Sequence, residues 1–111
     1  MTQLEEMTKE IVETFAHYEQ QGTKPWTADV AVQDLQYQIG NLTKALLQLR
    51  GFRYAEGSDE NTLKKKVADE LADILAEVLF VAHEMDIDIE EAWKKMIVSD
   101  QEKKAHRSKS I

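Results

Sequence analysis

The segment VADELADILAEVLF, residues Val67–Phe80, decides the fold. Its apolar residues include Val67, Leu71, Ile74 and Val78, which are spaced by four, three and four positions. This spacing places them on one face of an α-helix, where they can pack against other helices. Further apolar residues beside that stripe make it wider than a coiled-coil seam. The segment therefore predicts the most deeply buried helix of the chain.

A row of three acids, Glu70, Asp73 and Glu77, follows the edge of the same apolar face. At about 100° per residue, all three carboxylates project to one side of the stripe. Such a row is most often a solvated helix edge, whose acids pair with lysines such as Lys66. The alternative is a site in which a bound cation offsets the repulsion among the carboxylates. Spacing alone favours the solvated edge.

The sequence around this segment predicts three more amphipathic helices. With 1 Pro and 4 Gly, the chain has few of the turns that a β-sandwich or β-barrel needs, so we expect one all-α, four-helix domain over residues 1–111. Residues 1–26 form an N-terminal helix and turn, and residues 104–111 form a basic tail that we expect to fray. The predicted helices begin at Thr2, at Thr27, at Ser58 or Asp59, and at Asp88, and the first three end near Gly22, Gly51 and Met85.

The composition limits the classes of function. Lysine and arginine total 14 against 21 acids, a formal net charge of -7, whereas nucleic-acid binding needs a cationic surface. The sequence contains no cysteine, which excludes disulfides, thiolate metal sites and cysteine nucleophiles. The acidic N-terminus is unlike a signal peptide, and no apolar run approaches the roughly 20 residues of a membrane span. We expect a cytoplasmic protein with no membrane or nucleic-acid partner.

The apolar faces of the predicted helices are wider than one chain of this length can cover. Short amphipathic helices are marginal alone, so packing against other helices must stabilise them. We therefore expect homo-oligomerisation, as a homodimer or a tetramer, to complete the four-helix bundle.

The second predicted helix carries polar residues that match the acid row of the third. Measured from the centre of each apolar stripe, Gln38 and Asn41 lie at the same two angles as Glu70 and Asp73. If the two helices pack together, these four side chains face one groove beside the core. Mg²⁺ is the natural occupant, because it prefers oxygen ligands. Asp34, one turn before Gln38, either adds a carboxylate to this groove or faces solvent, as such acids more often do.

Two stretches resemble a known family. LQYQIGNLTKALLQLRG and VADELADILAEVLFVAHEMDIDIEEAW are similar to the MazG-like nucleotide pyrophosphohydrolases, over roughly Ala28 to Lys103. The resemblance implies a MazG-like helical bundle whose ExxE and ExxD motifs hold Mg²⁺, with Mn²⁺ as a substitute. It implies cleavage of a nucleoside triphosphate to the monophosphate and pyrophosphate. Glu70 and Asp73 match ExxD as metal ligands and catalytic residues, and Glu77 is the acid expected to orient the attacking water.

The chain departs from the family at the first motif. Where the family reads EEVGEL, this chain reads YQIGNL, so Gln38 and Asn41 take the places of the two acids of ExxE. Their amide oxygens can still bind a metal ion, but two negative charges are missing. Near the C-terminus, Asp100 and Lys103 stand where the family has Asn and Arg, and an arginine binds phosphate in a way that lysine does not fully replace.

Three basic residues, Lys44, Arg53 and Lys103, are the candidates for contact with the substrate phosphates, although isolated basic residues are more often hydrated surface. Two functions remain open. The chain is either a Mg²⁺-dependent nucleoside triphosphate pyrophosphohydrolase, weakened at its first motif, or a catalytically degenerate relative. A degenerate relative would bind a nucleotide or a partner protein without turnover.

Overall fold

The computed structural model of the protein describes residues 1–109, in which four α-helices and no β-strand are present. They are α1 (Gln3–Gln20), α2 (Ala28–Leu49), α3 (Glu60–Glu84) and α4 (Ile89–Lys109). The predicted all-α class and the number of helices are confirmed. Residues 104–109, which we expected to fray, continue α4 as a helix, and the last two residues of that segment lie outside the described part of the chain.

Side-chain caps fix where each helix begins. In each case a hydroxyl or carboxylate oxygen accepts a hydrogen bond from the backbone N–H three residues on, which satisfies one of the free donors of the first turn. The third helix is capped by Asp59 rather than Ser58, and this hydrogen bond from Thr62 lowers the pKa of the Asp59 carboxyl. The capping pairs are Thr2 with Glu5 at 3.2 Å, Thr27 with Val30 at 3.3 Å, Asp59 with Thr62 at 2.7 Å, and Asp88 with Glu91 at 3.1 Å.

The helices α2 and α3 form an antiparallel hairpin, and α1 packs against α3. The antiparallel direction follows because Asp34, near the start of α2, lies beside Glu77, near the end of α3. At the end of α2 the chain turns at Gly51, whose φ of 82° is in the left-handed region that favours glycine.

Helix α3 is the centre of the molecule. It contributes five of the seven buried side chains within residues 1–107, and α2 contributes the other two. The prediction that this helix is the most deeply buried is therefore confirmed. Helix α1, all of whose residues are described, contributes none.

Aromatic packing joins α1 and the turn after it to α3. The ring of Phe15 lies 4.7 Å, between centroids, from the ring of the buried Phe80, and 5.2 Å from the ring of Trp26 in an edge-on arrangement. Contacts of this kind add to the stabilisation from burying the rings. Trp26 therefore packs within the fold.

Helix α4 makes no interface comparable to those of the other three helices. Its first turn meets the start of α1, where the hydroxyl of Thr2 donates a hydrogen bond to the carboxylate of Glu90. Beyond that point Trp93, Met96 and Val98 are exposed. The radius of gyration, 18.1 Å, is correspondingly larger than the roughly 13 Å of a compact domain of this length. In the described residues, no helix is long and apolar enough to cross a membrane.

Replacing Phe80 by alanine tests the packing of α1 on α3. We predict that Phe80→Ala lowers the free energy of unfolding by about 3–5 kcal/mol, because it removes a buried ring and leaves a cavity. Phe52→Ala is the matched control, since Phe52 is 79% exposed, and it changes stability by less than about 0.5 kcal/mol. Urea unfolding of both variants measures the difference. Equal effects would contradict the packing.

Candidate functional site

A cavity of about 350 Å³ lies where α1, α2 and α3 meet. Its wall combines acidic, aromatic and small apolar side chains from the three helices and from the turn between α1 and α2. The lining residues are Ile11, Thr14, Phe15, Tyr18, Glu19, Thr23, Lys24, Trp26, Asp34, Gln38, Asp73, Ala76 and Glu77.

Three carboxyl groups reach this cavity from the two helices of the hairpin. Asp34 and Gln38 are one turn apart on α2, and Asp73 and Glu77 are one turn apart on α3. Residues four apart lie above one another on a helix, so each pair points the same way. The amide nitrogen Nε2 of Gln38 donates a hydrogen bond of 3.3 Å to Oδ2 of Asp34. This bond orients both side chains of the α2 pair.

The innermost acid is Glu77, which is only 4% exposed. Burial raises the pKa of its carboxyl from 4.5 to about 8, and the adjacent carboxyl of Asp34 and the charge of Asp73 act in the same direction, while the amide of Gln38 opposes them. Its Oε2 atom is buried and has no hydrogen-bond partner among the described residues. A buried acceptor without a partner is costly, and such groups concentrate at functional sites.

The opposite wall of the cavity is aromatic. Phe15 and Tyr18 come from α1, and Trp26 comes from the turn that follows it. Lys24, in the same turn, is the only lysine or arginine among the described residues that line the cavity. The site therefore offers a flat apolar surface and one positive charge across from three carboxyl groups.

The residues predicted for the groove are only partly brought together. Gln38, Asp73 and Glu77 line the same cavity. Asn41 and Glu70 are half-buried on α2 and α3 but do not line it. Glu70 shares one property with Glu77, because its Oε2 atom is also buried and has no partner in the part of the chain that the structure describes.

The predicted phosphate contacts lie elsewhere. Lys44, Arg53 and Lys103 are exposed, and none of them lines the cavity. Lys24 is the basic residue at the site, and nothing in its sequence context distinguished it. Asp34, for which a solvent-facing position was the commoner expectation, is half-buried and lines the cavity. Its signal in the sequence was the four-residue spacing from Gln38, which repeats between Asp73 and Glu77.

The donor atoms of the cavity are of the type that Mg²⁺ prefers, namely carboxylate and amide oxygens. The unpartnered Oε2 of Glu77 is one such donor. Within residues 1–109, no three side chains of His, Cys, Asp or Glu are grouped closely enough to hold a metal ion by themselves. The set therefore fits an ion that takes one or two protein carboxylates and completes its shell with substrate phosphates and water.

Comparison of the chain with protein-family models, with curated proteins and with solved structures finds no match. The resemblance in α2 and α3 is therefore carried by the motif residues themselves.

The raised pKa of Glu77 predicts how stability depends on pH when no divalent cation is present. The folded state holds this proton more tightly than the unfolded chain does, so the contribution to stability is complete below pH 4.5 and is lost as the pH rises through about 8. Glu77→Gln cannot lose a proton there. We predict that, relative to the parent, Glu77→Gln gains stability between about pH 5 and about pH 8.

Urea unfolding in the presence of a chelator, at both pH values, measures this effect. Glu19→Gln is the matched control, because Glu19 lies on the rim of the same cavity but is exposed. It is expected to keep the pH profile of the parent. A Glu77→Gln variant whose stability follows the parent at both pH values would show that Glu77 is ionised throughout.

Proposed function

We propose that the protein is a Mg²⁺-dependent nucleoside triphosphate pyrophosphohydrolase, which releases the nucleoside monophosphate and pyrophosphate. One observation carries the proposal. Asp34, Asp73 and the buried Glu77, whose Oε2 atom has no hydrogen-bond partner among the described residues, converge from two helices on a cavity that also has an aromatic wall. The match of Glu70 and Asp73 to the ExxD motif also supports a Mg²⁺-dependent pyrophosphohydrolase.

Each wall of the cavity suits a different part of such a substrate. Asp34, Gln38 and Asp73 provide the oxygen atoms that would hold Mg²⁺, and Glu70 stands one turn away on the same helix as Asp73. A Mg²⁺ ion held by these residues would supply positive charge to offset that of the phosphate oxygens. Lys24 adds a positive charge for the phosphates, and the rings of Tyr18 and Trp26 offer a stacking surface for the base.

Glu77 is the residue best suited to move a proton. Its ionised carboxylate can accept a proton from the attacking water, and its protonated form can return one to the leaving group. Without a bound cation its pKa is about 8, so this carboxyl has a higher affinity for a proton than an exposed glutamate, as a general base requires. The adjacent carboxyl of Asp34 and the charge of Asp73 both raise the pKa of Glu77.

A specific observation favours a second candidate, a degenerate relative that binds nucleotide without turnover. Gln38 replaces a carboxylate by an amide within the cavity, and the described residues hold no group of three acids close enough to fix a metal ion without help from substrate. Calorimetry with a non-hydrolysable nucleoside triphosphate, with and without Mg²⁺, separates the two. Binding that is independent of Mg²⁺ favours the degenerate relative.

We also propose that the protein acts as a homo-oligomer, since large apolar side chains of α2, α3 and α4 are exposed and another copy would cover them.

Pyrophosphate release from a panel of nucleoside triphosphates with Mg²⁺ tests the proposed activity. We predict that Asp73→Asn lowers kcat/KM by at least about 100-fold, because it removes a carboxylate that would hold Mg²⁺ against the substrate phosphates. Asp69→Asn is the matched control, since Asp69 is an exposed acid on the same helix and does not line the cavity. Absence of pyrophosphate release by the parent with every nucleotide would exclude the activity.

A further inference from the structure

The loop between α2 and α3, residues 50–59, presents aromatic and basic side chains that the fold does not bury. Its first part reads RGFRY, from Arg50 to Tyr54, and contains two of the three arginines of the chain. Phe52 is 79% exposed and Tyr54 is 84% exposed, more than any other large apolar or aromatic side chain in residues 1–107. Aromatic and arginine side chains are enriched in the surfaces through which proteins bind one another. The segment therefore has the composition of a binding surface.

Hydrogen bonds to the end of α2 hold this segment in place. The backbone N–H groups of Phe52 and Arg53 donate to the carbonyl oxygen of Leu47, at 2.8 and 3.2 Å. The side chain of Gln48 donates through Nε2 to the carbonyl oxygen of Tyr54 at 3.1 Å. The backbone is thus fixed, while the two rings stay in solvent. A segment that is already ordered loses less conformational entropy when a partner binds to it.

The loop also lies at the basic end of an acidic chain. Residues 44–66 contain six lysines and arginines against three acids, whereas the rest of the chain contains eight against eighteen. The side chains of Arg50 and Arg53 are exposed and make no ion pair within residues 1–107. One of the three nearby acids, Asp59, is already engaged as the cap of α3. The two guanidinium groups can therefore pair with anionic groups of another molecule.

This surface is distant from the carboxylate cavity. Arg50 follows the last residue of α2, and Asp34, which lines the cavity, is sixteen residues earlier in the chain. At 1.5 Å per residue, the two positions are about 24 Å apart along the helix. None of residues 50–59 lines the cavity. A ligand of the loop is therefore distinct from a substrate in the cavity.

Charge identifies the class of partner. Arginines pair with acidic groups, and exposed rings pack against apolar or aromatic side chains. A single-stranded nucleic acid offers anionic and aromatic groups too, but it is bound along a positively charged groove that follows several nucleotides. Here the basic residues are confined to one end of the hairpin, and the excess of acids elsewhere repels a long polyanion. A short acidic segment of a protein avoids that repulsion.

We propose that the loop between α2 and α3 binds an acidic, aromatic-containing segment of a partner protein. Carboxylates of that segment pair with Arg50 and Arg53, and its aromatic side chains pack on the rings of Phe52 and Tyr54. This binding is independent of the proposed activity.

Fluorescence anisotropy with a labelled peptide of alternating glutamate and tryptophan tests the binding. The parent is expected to bind this peptide at micromolar protein concentration, and Arg53→Glu is expected to weaken the affinity at least about tenfold, because it places like charges together. Arg107→Glu is the matched control, since it changes the net charge equally but lies on α4 and is exposed. It is expected to bind within about twofold of the parent, because exposed charges far from the peptide are screened by salt. A parent that does not bind the peptide would overturn the proposal, as would equal losses in the two variants.

A second pair of variants tests the contribution of the rings. Tyr54→Ser is expected to weaken binding of the same peptide several-fold, whereas Trp93→Ser, which removes an exposed ring from α4, leaves it unchanged. Both side chains are exposed, so urea unfolding is expected to show that both variants fold like the parent. A labelled oligothymidylate tests the nucleic-acid alternative in the same assay. If it binds more tightly than the peptide and depends on Arg53, the partner is a single-stranded nucleic acid and the proposal is wrong.

Discussion

The burial of α3 between two other helices is the constraint from which the rest of the structure follows. An α-helix that packs on two sides needs apolar residues over most of its circumference. On the side of α3 that faces α1, Phe80 packs against Phe15. Helix α2 covers a second side of α3. The acids of α3 then lie either on its exposed side, as Asp69 does, or at the boundaries between neighbouring helices, as Glu77 does.

That constraint explains why a core helix carries a row of carboxylates. Asp73 and Glu77 lie where α1, α2 and α3 come together, and Glu77 is buried as deeply as the apolar core. A carboxyl group in this position opposes folding once it is ionised, as the direction of its pKa shift indicates. Departures from a purely apolar core are typical of sites that bind or react. Glu77 is therefore not part of a solvated helix edge, whereas Asp73, one turn before it, is exposed.

The sequence was sufficient for the architecture because each helix is specified locally. The caps at Thr2, Thr27 and Asp88 were recognisable from single residues and their spacing, and the wide apolar stripe identified α3 as the central helix. Helical periodicity also indicated that Gln38 and Asp73 project to the same side of the hairpin.

The remainder of the site depends on tertiary contacts that no local pattern contains. The third wall of the cavity comes from α1 and the turn after it, so the positions of Tyr18 and Lys24 follow from how α1 packs on α3. The register of α2 against α3 decides that Asp34, rather than Asn41, lines the cavity with Glu77. A register shift of one turn is invisible to a helical wheel, since residues four apart have nearly the same angle.

The weak anchoring of α1 has a consequence for motion. Helix α1, which the structure describes throughout, has no buried residue, yet it provides one wall of the cavity. Segments with little buried apolar surface open at a lower free energy than the core does. Because α2 lies between α1 and α3 in the chain, docking of α1 also closes a long loop, which costs conformational entropy. Amide hydrogens of α1 therefore exchange with solvent before those of α3, and the cavity opens each time that α1 detaches.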